Sequence, residues 1–92
     1  MQSLISKEKK CYVCNTNSNI HKHHIYMGSN RNNSEKIGAW VYLCHKHHNG
    51  SNEGVHFNPK LDKELKELAQ RKYEENHTRE EFMGIIKRNY LD

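Results

Sequence analysis

Two short arms, Cys11-x-x-Cys14 and Cys44-x-x-His47, constrain this chain more than any hydrophobic pattern does. Two intervening residues let one tight turn aim both donor atoms at a common point, which is the arm spacing of tetrahedral zinc sites. Thiolate softness favours zinc among the available metals. The constraint matters because the chain is short of core. It has 92 residues, only 34% of them hydrophobic, near the size at which a hydrophobic core alone is marginal. Such chains commonly need disulfides, a metal or a partner subunit. Three cysteines, an odd number, exclude a complete disulfide framework. A Cys₃His zinc site built from Cys11, Cys14, Cys44 and His47 uses all three and clamps both ends of the segment between them. Such a site is structural and closed, with no open position for substrate.

The N-terminal residues 1–10 carry only Leu4 and Ile5 before charge begins, so they read as a frayed or loosely docked arm with no secretory apolar region. No apolar run approaches the length of a membrane span. The expectation is a cytoplasmic chain with reduced thiols and no membrane partner. After the arm comes one domain, residues 11–92. Its first part, 11–58, holds the cysteine knuckle and two strand-like runs, "IHKHHIYM" (20–27) and "AWVYL" (39–43). Between these runs "GSNRNNSEKIG" reads as a polar loop, and a loop of that length is more often functional than idle. The second part, 59–92, is helical. Leu61, Leu65, Leu68, Ala69 and Tyr73 recur at helical spacing behind Pro59, with Asn58 as N-cap. Thr78-x-x-Glu81 is a capping box ahead of a second stripe, Phe82, Ile85, Ile86 and Tyr90. Both stripes read as core. The fold class is α+β.

Once the zinc ligands are assigned, histidines are left over. In "LCHKHHNG", His48 follows His47 but must point elsewhere, since neighbouring side chains diverge on a helix or a strand. His23 and His24 lie on the first strand-like run, and His56 stands eight residues after His48. Neutral imidazole is the commonest side-chain metal ligand and serves as a general base near neutral pH. Any one of these taken alone reads as a surface histidine. Clustered around the ends of one hairpin, they read as a second site.

The order CxxC, a strand with "HH" followed by Ile, then a strand ending "LC" and running into histidines, resembles the HNH endonucleases. More closely, "HHIYMGSNRNNSEKIGAWVYLCHKHHNGSNEGVHFN" is similar to small HNH-like proteins carried by bacteriophages and prophages. The resemblance covers residues 11–58 or slightly more. It implies a ββα-metal (His-Me finger) core, a hairpin packed on a helix with a catalytic metal between them. One or two additional C-terminal helices would complete the chain. It further implies that His24 is the general base, that His23 and His48 are ligands of a catalytic divalent ion, and that the partner is DNA. The last ligand falls on Asn52 or His56. Imidazole is the better donor, so His56 is favoured, with "NGSNEG" delaying the helix. Imidazole ligation suits Zn²⁺, Ni²⁺, Mn²⁺ or Co²⁺ better than a hard ion, while water and substrate oxygens would complete a Mg²⁺ site.

The sequence departs from the family pattern at one place. The middle asparagine of the HNH name usually precedes the second strand's apolar run and braces the loop carrying the base. Here that place holds Gly38, Ala39 and Trp40, leaving Asn30, Asn32 or Asn33 to brace from the loop. The expected activity is metal-dependent hydrolysis of phosphodiester bonds in DNA, as a nickase or a double-strand cutter. Arg31 is a candidate phosphate contact. The formal charge of +4 suits a polyanionic partner. Two rival readings stand beside this one: a zinc-stabilised nucleic-acid-binding module without catalysis, and a protein–protein adaptor. The C-terminal helices would either cap the core or build a homodimer interface.

Overall fold

The computed structural model describes residues 2–50 and 54–91. Strand β1 (Ile20–His24) and strand β2 (Trp40–Cys44) pair antiparallel as a two-stranded sheet. Register sets Ile20 opposite Cys44, Lys22 opposite Tyr42 and His24 opposite Trp40, with His21 and His23 facing Leu43 and Val41. Alternation therefore sorts the sheet into two faces. His21, His23, Val41 and Leu43 share the inner one; Lys22, His24, Trp40 and Tyr42 share the outer one.

Helix α3 (Pro59–Glu74) starts where the sequence expects it. Asn58 accepts a hydrogen bond from the Leu61 N–H at 3.1 Å, and Pro59 occupies the first turn. Helix α4 (Arg79–Ile86) begins at a complete capping box between Thr78 and Glu81. The stripes of both helices enter the core: Leu65, Ala69, Tyr73, Phe82 and Ile86 cluster with Ile25, Tyr26, Val41 and Leu43. These helices cap the hairpin's core. No helix among the described residues is long and apolar enough to cross a membrane.

Three local expectations are corrected. The polar loop is not irregular: a 3-10 turn (Gly28–Asn30) leads into helix α1 (Arg31–Ile37). Asparagine and serine are poor helix formers, so this helix is held by tertiary contacts. Ser34 and Ile37, three residues apart, are buried; the Ser34 hydroxyl accepts from the Tyr26 N–H at 3.1 Å and donates to the Ala39 carbonyl. Gly38 ends the helix in the left-handed region at φ 77°, and a Cβ there would collide with the Gln2 carbonyl.

Asn30 and Asn33 brace helix α1 and not a loop. Asn30 donates to the Ile86 carbonyl at 2.9 Å and Asn33 to the Ile85 carbonyl at 3.2 Å, fastening α1 to the end of α4.

The arm is not frayed either. Leu4 N–H donates to the Gly38 carbonyl at 2.8 Å, Ser3 bonds the Trp40 carbonyl, and Ser6 Oγ accepts from the Tyr42 N–H at 3.1 Å. Tyr12 N–H donates to the Tyr42 carbonyl at 2.8 Å. Residues 3–12 thus occupy the hydrogen-bonding groups that β2 would otherwise expose along its free edge.

Candidate metal centres and the imidazole cleft

Helix α2 (His45–His48) is a single turn that starts directly at the end of β2. Its geometry separates the adjacent histidines: His45 and His48, three apart, share one side, while His47 turns toward the cysteines. Donor atoms of Cys11, Cys14, Cys44 and His47 all lie within 4.8 Å of one another. The Cys14 and Cys44 sulfurs are 3.8 Å apart, and His47 Nδ1 stands 3.6 Å from the Cys11 sulfur and 3.2 Å from that of Cys44. A tetrahedron with metal–sulfur bonds of about 2.3 Å has sulfur–sulfur edges of about 3.8 Å. The four residues named by the spacing therefore form a cluster that could hold a metal ion such as zinc. Burial pushes the Cys11 thiol up. Backbone hydrogen bonds at Cys44, Cys14 and Val13, with the Cys44 thiol, outweigh this and bring it down to about 6. A thiolate is thus favoured at neutral pH, as metal ligation requires.

A second cluster lies on the other side of α2. Ligand atoms of His23, His48 and His56 lie within 4.8 Å of one another. Each comes from a different element: His23 from the inner face of β1, His48 from α2, and His56 from a 3-10 turn (Val55–Phe57) just before α3. Asn52, the alternative last ligand, lies outside the described residues. The fit to an ion rests on one atom in particular. His23 is 2% exposed, yet its Nε2 has no hydrogen-bond partner among the described residues. A buried orphan nitrogen costs free energy unless something fills its lone pair. Burial lowers the His23 pKa to about 3, helped by the neighbouring His48, His56, His24 and Lys66 charges. Burial, then His56, His21 and His45, lowers that of His48 to about 4. Both rings are neutral at physiological pH and available as ligands.

His24 does not join this cluster but borders the same cleft. A space of about 290 Å³ is lined by Lys22, His23, His24, Met27, Arg31, His48 and His56. His24 sits at the last position of β1, so it reaches the cleft from the outer face while His23 reaches it from the inner one. His24 Nε2 is 2.8 Å from Glu35 Oε1 on α1. Lys22 Nζ lies 2.7 Å from the same oxygen. Hydrogen bonding from Lys22 first, then from His24, holds the Glu35 carboxyl at about 2. Arg31, expected in a loop, stands at the N-terminus of α1 with Nε 3.5 Å from His24 Nδ1.

All five expected residues of the second site, His23, His24, His48, His56 and Arg31, therefore meet in one cleft. Two further residues escaped the sequence reading. Glu35 was hidden because its helix read as a loop. His21 was legible in principle, since it alternates onto the same strand face as His23. Its Nδ1 is 3.0 Å from His48 Nδ1. For His48 Nε2 to hold an ion, its Nδ1 must carry the proton and donate to His21. His21→Ala is expected to weaken ion binding at the imidazole cluster by about 10–100-fold, as loss of such a supporting partner commonly does. Calorimetric titration with Ni²⁺, after the sulfur site is filled with zinc, reads this directly; unchanged affinity would assign His21 to packing alone.

No protein-family model, curated protein or solved structure matches the chain.

Proposed function

We propose that this chain is a metal-dependent nuclease that hydrolyses phosphodiester bonds in DNA through a ββα-metal site of the HNH kind. One observation carries the reading: a buried, neutral imidazole (His23), whose Nε2 has no hydrogen-bond partner among the described residues, shares a cleft with two further imidazoles, a carboxylate-bound histidine (His24) and two cationic side chains. A surface group of histidines has no reason to combine these features. The Cys₃His cluster is read as the structural zinc site that holds the hairpin ends and α2 in register.

The residues divide the work by their environment. Glu35 accepts the Nε2 proton of His24, which leaves Nδ1 as the basic nitrogen, where it accepts from the Arg31 Nε–H at 3.5 Å. Once Arg31 turns from Nδ1 to the phosphate, His24 Nδ1 takes the proton from the attacking water, and the Glu35 carboxylate stabilises the imidazolium that results. Glu35 thereby does for the base what the missing asparagine of the family pattern would do for its loop. Arg31 and Lys22, both lining the cleft, bind the non-bridging oxygens of the scissile phosphate. His23, His48 and His56 would hold a divalent ion, which when bound polarises a phosphate oxygen and neutralises charge on the leaving oxygen.

The reading is tested with the zinc-loaded protein and supercoiled plasmid, supplied in turn with Mg²⁺, Mn²⁺, Ni²⁺ and Zn²⁺. Nicking in at least one metal is expected, with 5′-phosphate and 3′-hydroxyl ends. Salt-sensitive DNA binding without turnover in every metal would replace the nuclease by a zinc-stabilised binding module.

A further inference from the structure

We infer that the outer face of the hairpin, together with the N-terminal arm, seats an unpaired nucleic-acid strand beside the imidazole cleft. The inference rests on the nuclease reading and adds the form of its substrate. A groove of about 660 Å³ runs between the arm and the sheet, and its lining includes Lys7, Lys9, Lys22, Trp40 and Tyr42. No carboxylate lines it among the described residues. The arm's bonds to β2 fix Lys7 and Lys9 on one bank, and Lys22 forms the other. Lys22 also lines the imidazole cleft, so the two spaces meet at its side chain.

The sheet register gives this surface a direction. Tyr42 lies opposite Lys22, and Trp40 lies opposite His24. Along a strand these positions are two residues, about 7 Å, apart. A strand of nucleic acid laid over Tyr42 therefore reaches His24 with its next phosphate. The floor is aromatic: the Trp40 and Tyr42 rings meet edge to face at 5.1 Å, and Lys22 Nζ stands 4.1 Å above the Trp40 ring. Trp40 is only 7% exposed whereas Tyr42 is half-buried, so Tyr42 offers the groove more of its ring. Duplex DNA offers such a surface only phosphates, because its base faces are stacked on one another. An unpaired strand offers both phosphate charge for the lysines and a base face for Tyr42, the combination that single-strand binding sites use.

The test is fluorescence anisotropy with zinc-loaded protein and no added activating ion, using a short labelled oligothymidylate and a duplex of equal length. Wild type is expected to prefer the oligothymidylate. Lys7→Ala with Lys9→Ala should make the salt dependence shallower by about 1.4 in the log–log slope, two phosphate contacts' worth. Tyr42→Leu should weaken oligothymidylate binding by roughly 5–100-fold and leave duplex binding unchanged, with Tyr42→Phe retaining the affinity. Zinc content and circular dichroism report whether each variant folds, and Tyr42→Phe keeps the ring test valid if the leucine variant does not. Equal binding by wild type and the lysine variant, or a preference for a poly-glutamate peptide, would overturn the inference. The two readings fail separately. Oligothymidylate binding with the expected variant losses but no cleavage in any metal would remove the nuclease and keep the groove. Cleavage that persists while the lysine and tyrosine variants bind like wild type would do the reverse.

Discussion

Removing the metal from the sulfur cluster is expected to unfold the protein. Structural zinc in small domains contributes an apparent 10–16 kcal/mol or so near neutral pH, whereas whole domains are stable by only about 5–15 kcal/mol. In a chain that is 34% hydrophobic, the first quantity is large enough to decide whether the second exists. The position of the cluster makes its loss global. Cys11 and Cys14 end the docked arm, Cys44 closes β2, and His47 lies on α2, whose other side presents His48 to the imidazole cleft. Without the ion, the arm, β2 and α2 lose the centre that joins them, and α2, a single turn, has little else to hold it. Far-UV circular dichroism during chelator titration should show loss of the cooperative thermal transition, restored by added Zn²⁺. Cys44→Ser should reproduce the apo behaviour at any zinc concentration that saturates wild type. A cooperative transition that survives complete stripping would mean that the core of Leu65, Tyr73, Phe82 and their neighbours suffices alone.

His24→Ala is expected to lower the nicking rate by about 10²–10⁴-fold while leaving the fold in place. That factor corresponds to roughly 3–5 kcal/mol of transition-state stabilisation. The fold should persist because His24 lies at the end of β1, outside the hydrophobic core. The neighbouring carboxylate makes the prediction more discriminating. Glu35→Gln retains an oxygen that can accept the His24 Nε2 proton but removes the charge that stabilises the imidazolium. It should lower the rate by less than His24→Ala. Glu35→Ala removes both and should fall between the two, with His24 free to adopt the other tautomer. Single-turnover rates with zinc-loaded proteins at saturating divalent ion give the ordering. Wild-type rates in His24→Ala would reject His24 as the base; equal rates in Glu35→Gln and Glu35→Ala would reject the tautomer argument.

The two centres are coupled through one turn of helix. His47 and His48 are consecutive, yet they face opposite sides of α2, so the sulfur cluster fixes the pose of an imidazole in the cleft. Under the proposed function, a closed sulfur site and an open nitrogen site would share this short segment, each with the donor type its role requires: thiolate for permanence and neutral imidazole for exchange.

Much of this was written in residue spacing. The CxxC and CxxH arms, the Asn58–Pro59 helix start, the Thr78–Glu81 capping box and the two apolar stripes are local patterns. Each is set by covalent geometry over a few residues, and each stands in the structure where the sequence put it. The divergence of His47 from His48 followed from the same local geometry. What the tertiary structure decided is everything that depends on contacts between distant segments. Helix α1 has seven residues, among them the weak helix formers Asn32, Asn33 and Ser34, and forms because Ser34 and Ile37 are buried and Asn30 and Asn33 bond to the end of α4. The arm is ordered because β2 has an edge to cover. Glu35 meets His24 only once α1 exists, and His21 meets His48 only once α2 folds back beside β1. Short-range periodicity carries no trace of such pairings, since their free energy comes from surfaces that the chain creates only by folding.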